Sequence, residues 1–76
     1  MSPAEEGPTG IHCRLDELLA ERGMTLAALS EAVGVSVVNL SVLKNDRARA
    51  IRYSTLASIC RALECEVGDL LVRADA

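Results

Sequence analysis

Apolar residues recur along the chain at spacings of three and four, the period that gathers them on one face of a helix. Leu15, Leu18 and Leu19 form the first stripe, and the stem of Arg22 can extend it. This predicts a first helix over about residues 13–22, ended by Gly23, with Met24 anchoring the connection. Leu29 and Val33 are four apart on a second helix capped by Thr25 and running to about residue 33. Leu40 and Leu43 are three apart on a third, over about residues 36–44. Between these two, Val35 can plug the corner, and the small residues Ser30 and Ala32 allow close approach. Gly34 can take the left-handed conformation that ends a helix, and Ser36 can cap the next one with its hydroxyl.

Further along, Leu56, Ile59, Cys60 and Leu63 repeat the stripe on a fourth helix, with Ser54 as its predicted cap. Val67, Leu70 and Leu71 suggest a short fifth helix over residues 67–72. The intervening stretch NDRARAIRY reads as a loop in which Ile51 is the core anchor. Residues 1–10 hold both prolines and two glycines and read as a disordered tail. The predicted domain therefore spans residues 11–72, with a C-terminal tail at 73–76, and its fold class is all-α with five helices.

A chain of 76 residues is one small domain and buries only about 60% of its unfolded surface. Half the residues are apolar but Tyr53 is the one aromatic, so the core is aliphatic and thin, which suits short packed helices. No apolar run approaches the roughly 18 residues of a membrane span. The N-terminal stretch has neither a basic start nor an apolar block, so a cytoplasmic location is expected.

Net charge is −3, which by itself disfavours a nucleic-acid partner. The distribution reverses that. Residues 1–31 carry net −4 and residues 64–76 net −3. Residues 32–63 carry Lys44, Arg47, Arg49, Arg52 and Arg61 against Asp46, net +4. Local charge governs contact with phosphates. In RARAIR, side chains two apart on an extended segment share a face, so Arg47 and Arg49 can lie along one backbone strand of a duplex. Asp46 works against this unless it tethers a neighbouring arginine.

His12, Cys13, Cys60 and Cys65 are the metal-ligand types present. Their spacings lack the tight pairs of a zinc site, and Cys60 falls on a core stripe. An odd cysteine count argues against a disulfide scaffold; a Cys60–Cys65 redox bridge stays open. No nucleophile-base-acid set appears. His12 stands beside the tail, and Asp16 and Glu17 sit on a solvated face, so no enzyme activity is expected. Neither a cofactor nor a small-molecule site is evident.

The outer face of the third helix is more informative. With Leu40 and Leu43 pointing inward, Val38, Ser41 and Val42 point most directly outward at 3.6 residues per turn. Val37 and Asn39 flank them, with Lys44 further along. Base-reading helices usually present Arg, Gln or Asn. A valine face can touch thymine methyls, or it can be a protein-binding patch.

The order Leu29, Ser30, Gly34, Val35, Leu40, Leu43 resembles the helix-turn-helix of the Cro/repressor-like (Xre) regulators. The resemblance covers roughly residues 11–72. It continues through NLS-x-LK, the alternation RARAIR, Tyr53, STL, C-x-AL-x-C and GDLL. It implies a five-helix, lambda-repressor-like fold and a small DNA-binding transcriptional regulator, a repressor in the family's usual role. The third helix would enter the major groove of double-stranded DNA, with Val37, Val38, Asn39, Ser41 and Val42 toward the bases. Thr25, Ser36, Lys44, Arg47, Arg49 and Arg52 would hold phosphates. Where the family commonly has a glutamine at the start of the second helix, this chain has Leu26. Such repressors usually bind as dimers, and Val67, Leu70, Leu71 and Val72 offer an apolar C-terminal seam for a homodimer. The alternative is a protein-interaction module, such as an antitoxin or an accessory regulator subunit.

Overall fold

Two glycines and two hydroxyls punctuate the N-terminal half of the chain. Gly23 (φ 62°) and Gly34 (φ 73°) both take the left-handed conformation that stops a helix. Thr25 Oγ1 accepts the Ala28 N–H at 3.0 Å, and Ser36 Oγ accepts the Asn39 N–H at 3.1 Å, each starting the next helix. The computed structural model describes residues 9–74. Its elements are β1 (Ile11–Cys13), α1 (Leu15–Arg22), α2 (Leu26–Val33), α3 (Val37–Lys44), α4 (Tyr53–Leu63), α5 (Val67–Leu70) and β2 (Leu71–Arg73).

The predicted stripes meet in one core. Leu15, Leu29, Leu40, Ile59, Leu63 and Leu70 are fully buried, and Val33, Val35, Leu43, Ile51 and Leu56 pack around them. α2 and α3 turn through 116°, within the range of a helix-turn-helix. Ser30 has more than its small size to contribute. Its hydroxyl donates to the Val35 carbonyl at 2.6 Å and ties the end of α2 to the turn.

The all-α expectation needs correction at both ends of the chain. β1 and β2 pair antiparallel, with His12 opposite Val72. The Arg14 N–H donates to Leu70 O at 2.7 Å and the Ala74 N–H to Gly10 O at 2.8 Å. Three-residue strands carry too little alternation to register as strands in sequence. They form here because the core brings the chain ends together. In consequence the first helix begins at Leu15, not residue 13, and the fifth ends at Leu70, not residue 72. Arg73 belongs to β2 rather than to a tail, and Thr9, Gly10 and Ala74 of the expected tails are hydrogen-bonded beside the sheet; the remainder, residues 1–8 and 75–76, lies outside the described residues. The outward N–H groups of β1 are already taken, Ile11 by Thr9 Oγ1 at 3.1 Å and Cys13 by Asp46 Oδ1 at 2.8 Å. That edge is closed to strand addition.

The fourth helix starts two residues earlier than predicted, its cap at Arg52 and not at Ser54. Arg52, extended at ψ 140°, is its N-cap, with no side-chain cap, and Ser54 lies inside the first turn. Its far end has a distant partner. Arg22 Nε donates to Leu63 O at 2.6 Å and Nη2 to Glu64 O at 3.2 Å, covering terminal carbonyls of α4.

Candidate nucleic-acid interface

Beyond α3 the chain doubles back on itself. The Asp46 N–H donates to Leu43 O at 3.1 Å and the Arg47 N–H to Val42 O at 3.0 Å. This fold-back shields the last turn of α3. Val38 is 72% exposed and Val37 42%, and Asn39 is exposed, whereas Ser41 and Val42 are half-buried. The outward direction of α3 is therefore centred on Val37–Asn39, nearer the helix start than the turn geometry of an isolated helix indicates.

A concave groove opens beside that face. Gly34, Val35 and Ser36 of the turn form one wall, with Asn39, Val42 and Leu43 of α3. The opposite wall is the segment Arg47–Arg49–Ala50–Arg52, with Thr55 of α4. Three of the predicted phosphate residues, Arg47, Arg49 and Arg52, thus converge on one groove with Ser36. All four are exposed. Thr25 and Lys44 are not among the groove-lining residues. Thr25 stands at the start of α2, and Lys44 Nζ lies 3.3 Å from Asp16 Oδ2 of α1. The ion pair places Lys44 on the α1 side of the molecule, while Asp16 lies on an exposed face as expected.

Tyr53, at 88% exposure, follows Arg52 directly at the start of α4. Its place directly after the basic run is the sequence signal for a surface residue of this region.

Asp46 tethers β1 rather than a neighbouring arginine. Its Oδ2 lies 2.8 Å from His12 Nδ1, while Oδ1 accepts the Cys13 N–H. His12 Nε2 faces Glu17 Oε2 at 3.3 Å, so the histidine is seated between two carboxylates. The hydrogen bond to Asp46, above all, raises the His12 pKa from 6.5 against a smaller cost of desolvation. The Cys13 N–H and then His12 lower that of Asp46. Asp46 itself sits at φ 60°, in the left-handed region where Asp is among the better tolerated residues.

Cys13, Cys60 and Cys65 are free thiols. Burial, then the neighbouring Cys60, pushes the Cys65 thiol up to about 11, so it is protonated and a poor nucleophile at neutral pH. Among the described residues no three His, Cys, Asp or Glu side chains gather as a metal-ligand set, and no single helix is long and apolar enough to cross a membrane.

Residues 14–76 match the family model of the Cro/C1-type helix-turn-helix DNA-binding domain, a match that begins just after β1. The chain is 56% identical over 57 residues to an uncharacterized HTH-type transcriptional regulator, YozG, of Bacillus subtilis (strain 168), covering 75% of this chain and 68% of that one. Its fold is also similar to the crystal structure of the transcriptional regulator VanUg, form II, with a TM-score of 0.66 and 31% identity over 84% of this chain and 87% of the other. That family consists of DNA-binding regulators and is not a class of enzymes. With its glycine-stopped α2, its capped α3 and an arginine-walled groove beside them, this chain belongs to the Cro/C1-type helix-turn-helix family of DNA-binding transcriptional regulators.

Proposed function

We propose that the chain is a sequence-specific regulator, a repressor, that lays α3 in the major groove of double-stranded DNA. The observation that carries this is the juxtaposition of the exposed Val37–Asn39 face with a groove walled by Arg47, Arg49 and Arg52. The helix width suits a major groove, and arginines on one side of it suit the flanking phosphates. Asn39 is the residue with base-edge hydrogen-bonding capacity, and Val37 and Val38 supply apolar contact for thymine methyls. Val42, half-buried, lines the groove itself, Ser41 stands half-buried one position before it on α3, and Ser36 adds the amide-rich start of α3. Thr25 would do the same at the start of α2, and Lys44 would reach a phosphate only by leaving Asp16. Repression needs no further activity, because an occupied operator excludes other proteins. The compartment is the one that holds the genome, the cytoplasm of a bacterial cell.

Gel shifts over a salt series, with a selected operator and a random duplex, test this. Binding to both should weaken steeply with salt. Val38→Ala should narrow the gap between operator and random duplex, by about 1–3 kcal/mol for a lost base contact at most, without altering the salt slope. No salt-dependent binding to any duplex would end the DNA reading.

The second reading, a protein-interaction module, is favoured by one observation. Val38 and Val37 form an exposed apolar face with little capacity to read bases. In that case Val38→Ala would weaken a protein complex and leave duplex affinity unchanged.

A homodimer completes the proposal, since one short helix reads only a few base pairs and paired half-sites lie about 34 Å apart. The C-terminal seam is a poorer support than its composition suggests. Leu70 is 1% exposed, Leu71 packs on the core, and Val72 pairs with His12. Among the described residues, Ile11 and Val67, at 44% and 48% exposure, are the large apolar side chains left exposed near the two strands. Sedimentation at high micromolar concentration, with and without operator DNA, should give a dimer; a monomer in both would refute it.

A further inference from the structure

The segment that carries the arginines is tied to the rest of the domain at its start, and the tie is ionic. Asp46 immediately precedes Arg47. One of its oxygens accepts the Cys13 N–H and the other lies 2.8 Å from His12 Nδ1. The other ring nitrogen of His12 faces Glu17 of α1 at 3.3 Å. A neutral imidazole has one N–H and one lone pair, so it can serve only one of these carboxylates and turns its lone pair on the other. The imidazolium donates to both.

We propose that His12 is a positioning residue for DNA binding: as the imidazolium it clasps Asp46 and Glu17 together and holds the arginine segment against the corner of β1 and α1, and deprotonation loosens that hold. The proposal rests on the reading of Arg47 and Arg49 as phosphate ligands. A segment already held in place gives up less conformational freedom when it binds. His12 lies outside the stretch that matches the family model, which begins at residue 14.

The groups around the ring are consistent with this role. From α1 comes Glu17, shared with Arg14 at 3.3 Å. Arg14 also reaches Glu21 at 3.6 Å, and Asp16 is occupied by Lys44. From the turn after α3 comes Asp46. From β2 the opposite residue is Val72, without charge; Arg73 pairs with Ile11 and so belongs to the other face of the sheet. The carboxylates facing His12 raise its pKa from 6.5, and Asp46 is lowered from 3.8. The clasp is therefore complete below 6.5 and is lost as pH rises through the higher value in the folded protein. At the acid end it is lost as pH falls through the lowered Asp46 value.

His12 is the only histidine in the chain, so its ring protons report one titration without ambiguity. The ring protons and the amides of residues 46–50 are followed by NMR in the free protein from about pH 5.5 to about pH 8.5, the range of histidine titration. Duplex affinity is measured in the same buffers. His12 should titrate above 6.5, with the amides following the same midpoint. Affinity should drop across that step by about fivefold, the low end of linked couplings. Asp46→Asn is tolerated at a left-handed position and should lower the midpoint and flatten the affinity step. His12→Gln should show no step.

An ordinary His12 titration that the amides ignore would overturn the proposal. So would an affinity step of full size in Asp46→Asn, because the proton would then act on the duplex directly. If the amides follow His12 while affinity stays flat, the positioning role falls. The NMR arm needs no DNA, so failure of the DNA reading is seen separately, as an absence of salt-dependent binding at any pH.

Discussion

Leu40→Ala should lower the stability of the domain by about 2–5 kcal/mol, the range for truncating a leucine in a packed core. The side chain is fully buried, in one cluster with Leu29, Ile59 and Leu63. It projects from the first half of α3, between the helix cap at Ser36 and the turn after Lys44. A core built from aliphatic side chains has few large neighbours that could move in and fill the space. At roughly 0.05–0.15 kcal/mol per residue a domain of this size holds on the order of 4–11 kcal/mol in all. The substitution therefore removes a large share of the total. Denaturant melts of the wild type, Leu40→Ala and Val38→Ala check this. Val38, on the same helix but 72% exposed, should change stability by less than about 0.5 kcal/mol. A Leu40→Ala loss as small as that of Val38→Ala would mean that α3 is not packed by this face.

Arg47→Ala combined with Arg49→Ala should reduce duplex affinity roughly thirtyfold at about 0.15 M salt, the worth of two phosphate contacts that each release about 0.9 counterion. The loss should be the same on operator and random duplex, because phosphates carry no sequence information. The log–log salt slope should become shallower by about 1–2 units. Both arginines line the groove beside α3, and Ile51, packed on the core, fixes the segment that bears them. Gel shifts or fluorescence anisotropy over a salt series read both quantities at once. Retention of wild-type affinity and slope would remove this segment from the interface. A loss confined to the operator would instead make the arginines base readers. The double variant should still fold cooperatively, since neither side chain belongs to the core.

How much of this was legible beforehand depends on how far apart the interacting residues lie. The helix stops at Gly23 and Gly34 and the caps at Thr25 and Ser36 are legible in the sequence because each works within one helical turn. The hydroxyl and the amide it accepts are three residues apart in both caps. The core stripes of α1 to α4 are of the same kind, since a period of 3.6 is written directly into the spacing of leucines. The cluster of Arg47, Arg49 and Arg52 was visible too, as a local excess of charge in an acidic chain. Its facing of Ser36 and Asn39 across a groove was not.

Tertiary structure decided the rest. The sheet joins the two ends of the described chain, and neither strand is long enough to show a period by itself. His12 meets Asp46 across 34 residues, Lys44 meets Asp16 across 28, and Arg22 covers the end of α4 across 41. These pairings join polar groups whose partners are chosen by proximity after folding, and nothing in the local spacing of charges specifies which of several acids a base will meet. The exposure of α3 belongs with them. Helical geometry alone orients its side chains around the axis, but the fold-back at Asp46 and Arg47 covers Val42 and leaves Val38 in solvent. Local periodicity thus determines which residues enter the core, because burial of a stripe follows from the helix itself. The surface that remains depends on which distant segments the core brings together, and that is settled only when the chain closes on itself.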